Sequence, residues 1–355
     1  MIIIHVADYG QIGEQNGITT VLDNLILEQR ALGHQVYFFN INNNGKIHTS
    51  HYNKVVSSIK SFNKNLNSVN PDIVIFHSLY YMKYILYMGI VYRKKIPYLI
   101  EFHGGATNFA QSKNLWKKSV ANKFFFDSLI KKSNGLIFLT DQELKASETF
   151  SHLAPNIIIP NGCTIPHVPG HVNQINQPLI CLFLGRIDIY YKGLDVLVEA
   201  VKKVYDKIKG KIIFQFYGSG ELEDFKALIG SYQDILKLNS AVYGDSKSQV
   251  FSSADIFVLT SRSEGMPMSV LEALAFGLPC LITEQTNMSK FVKNGAGWVT
   301  ECNVDAISES ILEIVNSSNE TIFEMSKQAQ KNVLPYSWNK IAQLSIEKYE
   351  EVLKN

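Results

Sequence analysis

The sequence predicts two α/β domains in tandem, each built on a doubly wound parallel sheet. Three observations point there. Short apolar runs alternate with helical periodicity along all 355 residues, the pattern of repeated βα units with right-handed crossovers. Several runs are apolar at every position, such as Ile73-Val-Ile-Phe76 and Ile256-Phe-Val-Leu259, as strands covered on both faces require. The alternation breaks in a polar stretch from Pro160 to Pro178 that holds four of the ten prolines, and then restarts. A chain of this length divides naturally into domains of about 150 to 180 residues.

In chain order, the first half carries candidate strands at 1–6, 34–40, 72–76, 97–102, 135–139 and 156–159. Helical spacing fills the gaps, for example Val21-Leu22, Leu25-Ile26 and Ala31-Leu32. The second half carries candidate strands near 179–184, 211–217, 237–242, 255–259 and 279–283. The expected domains are therefore 1–165, a linker at 166–177, and 178–335. In doubly wound sheets ligands sit beyond the carboxyl ends of the strands, so strand-to-helix loops facing a cleft between the domains are the places to look for chemistry.

Composition narrows the class. Hydrophobic residues make up 46% and charged residues 19%, which suits a packed globular protein and excludes a disordered one. Cys163, Cys181, Cys280 and Cys302 show no metal-site or disulfide spacing, in keeping with a reducing compartment. No apolar run reaches the roughly 18 to 20 residues of a spanning helix. Met1-Ile-Ile-Ile-His-Val-Ala reads as a strand rather than a leader. The expectation is a cytoplasmic protein.

Charge is unevenly spread. Residues 1–165 hold 16 Lys and Arg against 10 Asp and Glu, a net of +6, while residues 166–355 hold 18 against 22, a net of −4. Ten of the basic residues fall in 83–132, against only Glu101 and Asp127, and Trp116 and Phe124-Phe125-Phe126 interleave with them. Two readings stand: a solvated helix with a buried aromatic face, or a surface that docks on anionic lipid at the inner face of a membrane. No nucleic-acid motif accompanies the charge, so no nucleic-acid partner is expected.

The most informative segment is Ser261-Arg-Ser-Glu-Gly-Met-Pro-Met-Ser-Val-Leu-Glu-Ala-Leu-Ala-Phe-Gly-Leu-Pro-Cys280, which follows a strand. A helix should open with Pro267 in its first position and stop at Gly277, with Pro279 beyond. Glu264 lies in the loop and Glu272 on the helix. Backbone N–H groups of Gly265 to Met268 would donate to an anion or to hydroxyls, and a carboxylate beside them accepts from sugar hydroxyls.

A second segment, Leu184-Gly-Arg-Ile-Asp-Ile-Tyr-Tyr-Lys-Gly193, opens a helix over 194–208. Arg186 and Lys192 there make a diphosphate clamp, or else two ordinary surface cations. A third, Phe102-His-Gly-Gly105, follows a first-domain strand. It would aim His103 into the cleft from the opposite wall, unless that histidine is a satisfied structural one. Gly13 and Gly17, in Gly10-Gln-Ile-Gly-Glu-Gln-Asn-Gly17, form a loop and helix start or a simple turn. Residues 242–246, Val-Tyr-Gly-Asp-Ser, are placed beside a nucleotide base, and Asn161-Gly162 reads as the interdomain turn. Gly218-Ser-Gly-Glu-Leu-Glu223 has Glu223 where a dinucleotide fingerprint needs glycine, which excludes a nicotinamide dehydrogenase.

On these residues the chain resembles the GT-B glycosyltransferases of the large retaining family 4. The family's E-x7-E pattern matches Glu264 and Glu272, and its G-R-x-x-x-x-K-G loop corresponds to Gly185, Arg186, Lys192 and Gly193, with one residue more between the two cations here. The resemblance implies that Arg186 and Lys192 bind the donor diphosphate. It implies that Glu272 binds the ribose, and that Glu264 binds sugar hydroxyls with the amides of Gly265 and Met266. It sets His103 against the sugar near the anomeric centre and brings Gly17 near the phosphates, although Asn16-Gly17 lacks the tandem glycines common there. A C-terminal helix at about 338–355 should cross back onto the first domain.

The implied activity is a retaining, metal-independent hexosyl or related transfer from a nucleotide-diphosphate sugar. The acceptor would be a glycan or lipid-linked one in bacterial surface polysaccharide synthesis, lipopolysaccharide or capsule among them. No Asp-x-Asp stands in the cleft loops, and no cofactor is expected. Two other classes stay open. A nucleotide-sugar epimerase or isomerase would use His103, Glu264 and Asp8 as acid and base. A two-lobed sugar-binding protein would bind without turnover.

Overall fold

The computed structural model describes residues 1–9, 17–42, 53–112, 115–166 and 175–354. The chain forms two compact units. One comprises Met1–Gly162 with Trp338–Asn355, and the other Cys163–Ser337.

The first unit holds strands β1 (Ile2–Ala7), β2 (Gln35–Asn40), β3 (Asn53–Val55), β4 (Ile73–His77), β5 (Tyr98–Glu101), β6 (Gly135–Phe138) and β7 (Asn156–Ile158). They lie in the order β3-β2-β1-β4-β5-β6-β7, and every pairing is parallel. β1, β4, β5 and β6 are buried almost throughout, which explains their unbroken apolar runs: helices cover both faces, so no position is left for a solvent-facing residue. Each fully buried Leu, Ile or Phe contributes about 1.5 to 3 kcal/mol.

The helix Trp338–Lys354 belongs to this first unit and packs along the helix Gly17–Ala31. Gln29 Nε2 donates to Ser345 Oγ at 2.9 Å across that seam. Where the chain re-enters the unit, the Trp338 ring covers Gly162 so closely that a Cβ there would stand 2.4 Å from Trp338 Cε3.

The second unit holds β8 (Leu179–Leu184), β9 (Ile212–Gly218), β10 (Leu236–Ser240), β11 (Ile256–Leu259), β12 (Cys280–Thr283) and β13 (Gly297–Thr300). The order is β10-β9-β8-β11-β12-β13, again all parallel. Both sheets are doubly wound, reversing direction between β1 and β4 and between β8 and β11. Those reversals are the switch points at which such sheets bind ligands. β3 and β13 have no counterpart among the expected strands. Each is an edge strand of three or four residues with one neighbour.

Candidate functional site

In the second unit the switch point is formed by the two loops that leave β8 and β11. The first runs from Gly185 to Gly193 and feeds the helix Leu194–Ile208. Gly193 has φ +62, and a Cβ there would stand 2.1 Å from the carbonyl oxygen of Thr260. Only glycine lets the two loops approach that closely. Arg262 binds them together, forking onto Asp195 at 2.7 and 2.8 Å and stacking 4.3 Å from the centre of the Tyr190 ring.

Glu264 is pinned on this frame. Its N–H donates to Gln285 O and its carbonyl accepts from Asn287 Nδ2. Its carboxylate receives Lys192 Nζ at 2.6 Å and Ser261 Oγ at 2.7 Å. The two sequence-derived candidates Lys192 and Glu264 are thus in direct contact, their side chains only 16% and 13% exposed.

Gly265 and Met266 follow, both buried. The helix Met268–Ala275 starts after Pro267, which is its cap in extended conformation (φ −67, ψ 123). The proline therefore sits one position earlier than expected, because its fixed φ suits either place and the first helical turn begins only beyond it. The helix stops at Gly277, which has φ +77.

Glu272 lies on this helix and receives Lys247 Nζ at 2.6 Å. Burial raises its carboxyl above the ordinary range while Lys247 pulls it back. Lys247 was not singled out from the sequence. It sits on the helix Gly244–Ser253, immediately after the segment 242–246, where Tyr243 caps that helix and is half exposed. Arg186 is placed differently from its partner cation: it is 67% exposed and bonds Asp188 at 3.0 Å.

The first unit carries the other candidates. Gly17 is the exposed first residue of its helix, and Gly13 lies outside the described residues. His103 sits just past β5 with φ +50, followed by Gly104 at φ +82. Glu143 holds this turn from below: its carboxylate accepts the N–H groups of Gly104 and Leu139, each at 2.6 Å. Burial lifts that carboxyl to about 7. The His103 ring is turned into its own unit. Nε2 lies 2.9 Å from His77 Nδ1, and Nδ1 lies 3.5 Å from Glu101 Oε1.

His77 in turn reaches His5 at 2.8 Å, and His5 reaches Gln29 Oε1 at 2.9 Å. Burial first of all holds all three histidines neutral, His5 and His77 near 3 and His103 near 4. The signal for this chain was present in the sequence as lone titratable residues in or beside apolar strands: His5 in β1, His77 closing β4 and Glu101 closing β5. Their neighbourhood depends on the β1-β4-β5 order, in which His77 stands opposite Glu101.

Among the described residues, one group could hold a metal ion: His77, Glu101 and His103, with ligand atoms within 4.8 Å of one another. Two nitrogens on one zinc stand about 3.3 Å apart. The 2.9 Å between His77 and His103 fits a shared proton better.

Two family models match the chain in succession. Residues 15–165 match Glycosyltransferase Family 4, and residues 171–332 match Glycosyl transferases group 1. The chain belongs to the group 1 glycosyltransferases. Among curated relatives of this chain, the N,N'-diacetylbacillosaminyl-diphospho-undecaprenol alpha-1,3-N-acetylgalactosaminyltransferase of Campylobacter jejuni is 26% identical over 51% of this chain and 47% of its own length. The UDP-Gal:alpha-D-GlcNAc-diphosphoundecaprenol alpha-1,3-galactosyltransferase of Escherichia coli is 25% identical over 55% of this chain and 53% of its own. The chain spans about half the length of the first curated relatives it matches. Among solved structures, sucrose-phosphate synthase from Thermosynechococcus elongatus shares the fold over 99% of both chains, with a TM-score of 0.76 at 14% identity. The fold is GT-B. Among the described residues, no helix is long and apolar enough to cross a membrane.

Proposed function

We propose that the chain is a retaining glycosyltransferase that moves a sugar from a nucleotide-diphosphate donor to a glycan or lipid-linked acceptor of a bacterial surface polysaccharide. The observation that carries this reading is the preformed arrangement at the β8/β11 switch point, with Lys192 on Glu264 and Lys247 on Glu272. Such pairing gives each of two largely buried carboxylates a cationic partner and fixes its orientation for accepting from hydroxyls. Glu264 binds the sugar hydroxyls with the amides of Gly265 and Met266, and Glu272 binds the ribose. The Campylobacter and Escherichia relatives, named for undecaprenol-diphosphate-linked glycans, support the lipid-linked acceptor.

Cleavage of the sugar–phosphate bond releases a diphosphate and leaves an oxocarbenium-like sugar. Arg186, Lys192 and the helix start at Met268 stabilise the departing charge, which is the work a divalent metal does elsewhere; we assign no metal to the reaction. Arg186, exposed and bonded to Asp188, swings onto a phosphate. The acceptor attacks on the face from which the diphosphate leaves, with the leaving phosphate taking the acceptor's proton. Gly17 brings its backbone to the phosphates. His103, whose ring nitrogens are held within the first unit, serves as a fixed neutral group against the sugar rather than as a shuttling base.

The first unit's basic face supports a peripheral membrane setting. Leu115, Trp116, Val120, Phe124 and Phe125 are exposed on the helix Leu115–Ala121 and the π-helical turn Asn122–Phe126, beside Lys117, Lys118 and Lys123. Rings with lysines around them suit the headgroup layer of an anionic bilayer. A solvated helix that buries its aromatic face would show the opposite exposure.

The deciding experiment is thermal unfolding with UDP, GDP, ADP and CMP, for the wild type and Arg186→Ala. A ligand at 100 times its Kd adds about 2.7 kcal/mol. One nucleotide diphosphate raising the wild-type Tm, with the shift reduced in the variant, supports the donor site. No shift with any of the four sinks it.

A further inference from the structure

We infer that Gln29, His5 and His77 are positioning residues that fix which ring nitrogen of His103 carries its proton, from the far end of a buried hydrogen-bond chain. The proposal rests on the role given above to His103.

The chain can be followed atom by atom. Ser345 Oγ donates to Ala342 O at 2.7 Å, so it receives, and does not give, the hydrogen bond from Gln29 Nε2. With its amide nitrogen so committed, Gln29 turns its carbonyl oxygen to His5 Nε2 at 2.9 Å. A carbonyl only accepts, so His5 carries its proton on Nε2. A neutral imidazole has one N–H and one lone pair, so His5 Nδ1 accepts from His77 Nε2–H at 2.8 Å. By the same step His77 Nδ1 accepts from His103 Nε2–H at 2.9 Å. Each ring is thereby set by the one before it. His5, His77 and Gln29 are fully buried, so no water competes for these atoms, and a broken link leaves an unpaired polar group at a cost of about 1 to 3 kcal/mol.

Glu101 closes the chain, with Oε2 at 3.2 Å from His77 Nδ1 and Oε1 at 3.5 Å from His103 Nδ1. Both separations exceed the 2.8 and 2.9 Å of the links between the rings, so the ring-to-ring bonds set the polarity. His103 therefore faces its surroundings with one fixed orientation, one fixed tautomer and no charge. That tautomer is decided by Gln29, on the helix Gly17–Ala31, and by Ser345 beyond it. In metal sites, partners of this kind that set a histidine's tautomer are worth about 10 to 100-fold in activity.

The test is ring nitrogen NMR on the full chain labelled with 15N-histidine at pH 7.5. The expected result is Nε2–H on His5, His77 and His103. Gln29→Leu should leave His103 as a mixture of tautomers, whereas Gln29→Glu, which still accepts from His5, should keep Nε2–H. His103 protonated on Nδ1 with a bare Nε2 in the wild type overturns the proposal, and so does an unchanged tautomer in Gln29→Leu. If Gln29→Leu fails to fold, the wild-type spectrum alone decides. Loss of both the His77 and His103 N–H signals on adding zinc chloride also overturns it, in favour of a metal at Glu101.

Kinetics give a separate readout, using whichever of UDP-glucose, UDP-N-acetylglucosamine, GDP-mannose and ADP-glucose the wild type consumes. Gln29→Leu should lower kcat by about 10-fold with an unchanged donor KM, and Gln29→Glu should restore it. An unchanged kcat in Gln29→Leu overturns the positioning role. If the wild type consumes none of the four donors, the transferase reading fails and the spectra still decide the tautomer.

Discussion

Lys192 Nζ stands 2.6 Å from Glu264 Oε1, a contact between the loop after β8 and the loop after β11. The pair is mostly shielded from water, so neither charge is spent on solvent. On the function proposed above, an entering donor takes up some of these bonding valences, the phosphate those of lysine and the sugar those of glutamate. Lys192→Ala is expected to lower kcat by about 10² to 10³-fold, the usual effect of removing one stabiliser of developing charge. Glu264→Ala should abolish transfer with the fold intact by circular dichroism. Near-normal turnover in either variant would count against the site.

Gly193→Ala should damage the same site without touching any polar group. The added methyl meets the Thr260 carbonyl at 2.1 Å, and φ +62 is disfavoured for alanine as well, so the loops must part. A destabilisation of about 1 to 3 kcal/mol is expected, read as a lower urea midpoint of the second unit, together with weaker nucleotide binding. Gly210→Ala is the control, since its φ is also positive but nothing lies within 4 Å.

Lys247→Ala removes the cation that pulls the Glu272 carboxyl back down against its burial. The glutamate's pKa should rise further, and nucleotide affinity should fall by about 10-fold near neutral pH, recovering as the pH is raised. Isothermal titration at pH 6.5 and 8.5 checks both the loss and its direction.

The three buried histidines make the first unit sensitive to acid. Their pKa values lie far below the ordinary 6.5, near 3, 3 and 4. The unfolded chain therefore binds three protons as the pH falls through 6.5, and the folded unit does not. Glu143 works the other way: its carboxyl, raised to about 7, is protonated in the folded unit and ionised in the unfolded chain between about 4.5 and 7. The difference is two protons in favour of the unfolded chain, so stability should rise with pH from about 4.5 to 6.5 by up to about 2.7 kcal/mol per pH unit. The groups facing these rings are Gln29, Glu101 and, at longer range for His5, Arg30. Hydrogen exchange of β1 and β4 amides across that range is the measurement, and a flat profile would refute the assignment.

For the exposed ring cluster, Trp116→Ser with Phe124→Ser should abolish flotation with vesicles rich in phosphatidylglycerol. Both side chains are about 70% exposed, so stability should change by no more than about 0.5 kcal/mol. Equal binding to neutral vesicles, or an unaffected double variant, would remove the membrane setting.

The buried strands and the loops around Glu264 and Lys192 were legible because their signals are local. An unbroken apolar run marks a strand covered on both faces, and a Pro–Gly punctuated segment after it marks a loop and helix. What stayed hidden depends on the order of strands. β3 carries only Asn53, Lys54 and Val55, none fully buried, so no apolar run announces it. Lys247 reaches Glu272 from a different helix. His5, His77 and Glu101 meet only because β1, β4 and β5 lie side by side. His103 was read either as aimed into the cleft or as a satisfied structural histidine, and its ring joins that buried group.

The Gln29–Ser345 bond has a consequence for biosynthesis. The ribosome delivers the helix Gly17–Ala31 early and its packing partner Trp338–Lys354 only after all of the second unit. At about 5 to 20 residues per second, the nascent first unit waits many seconds with the groove for that helix open and Gln29 lacking its acceptor. The second unit, contiguous in the chain, can close first. A nascent chain stalled before Trp338 would expose that groove to chaperones, which distinguishes a chain lacking this helix from one that has docked it.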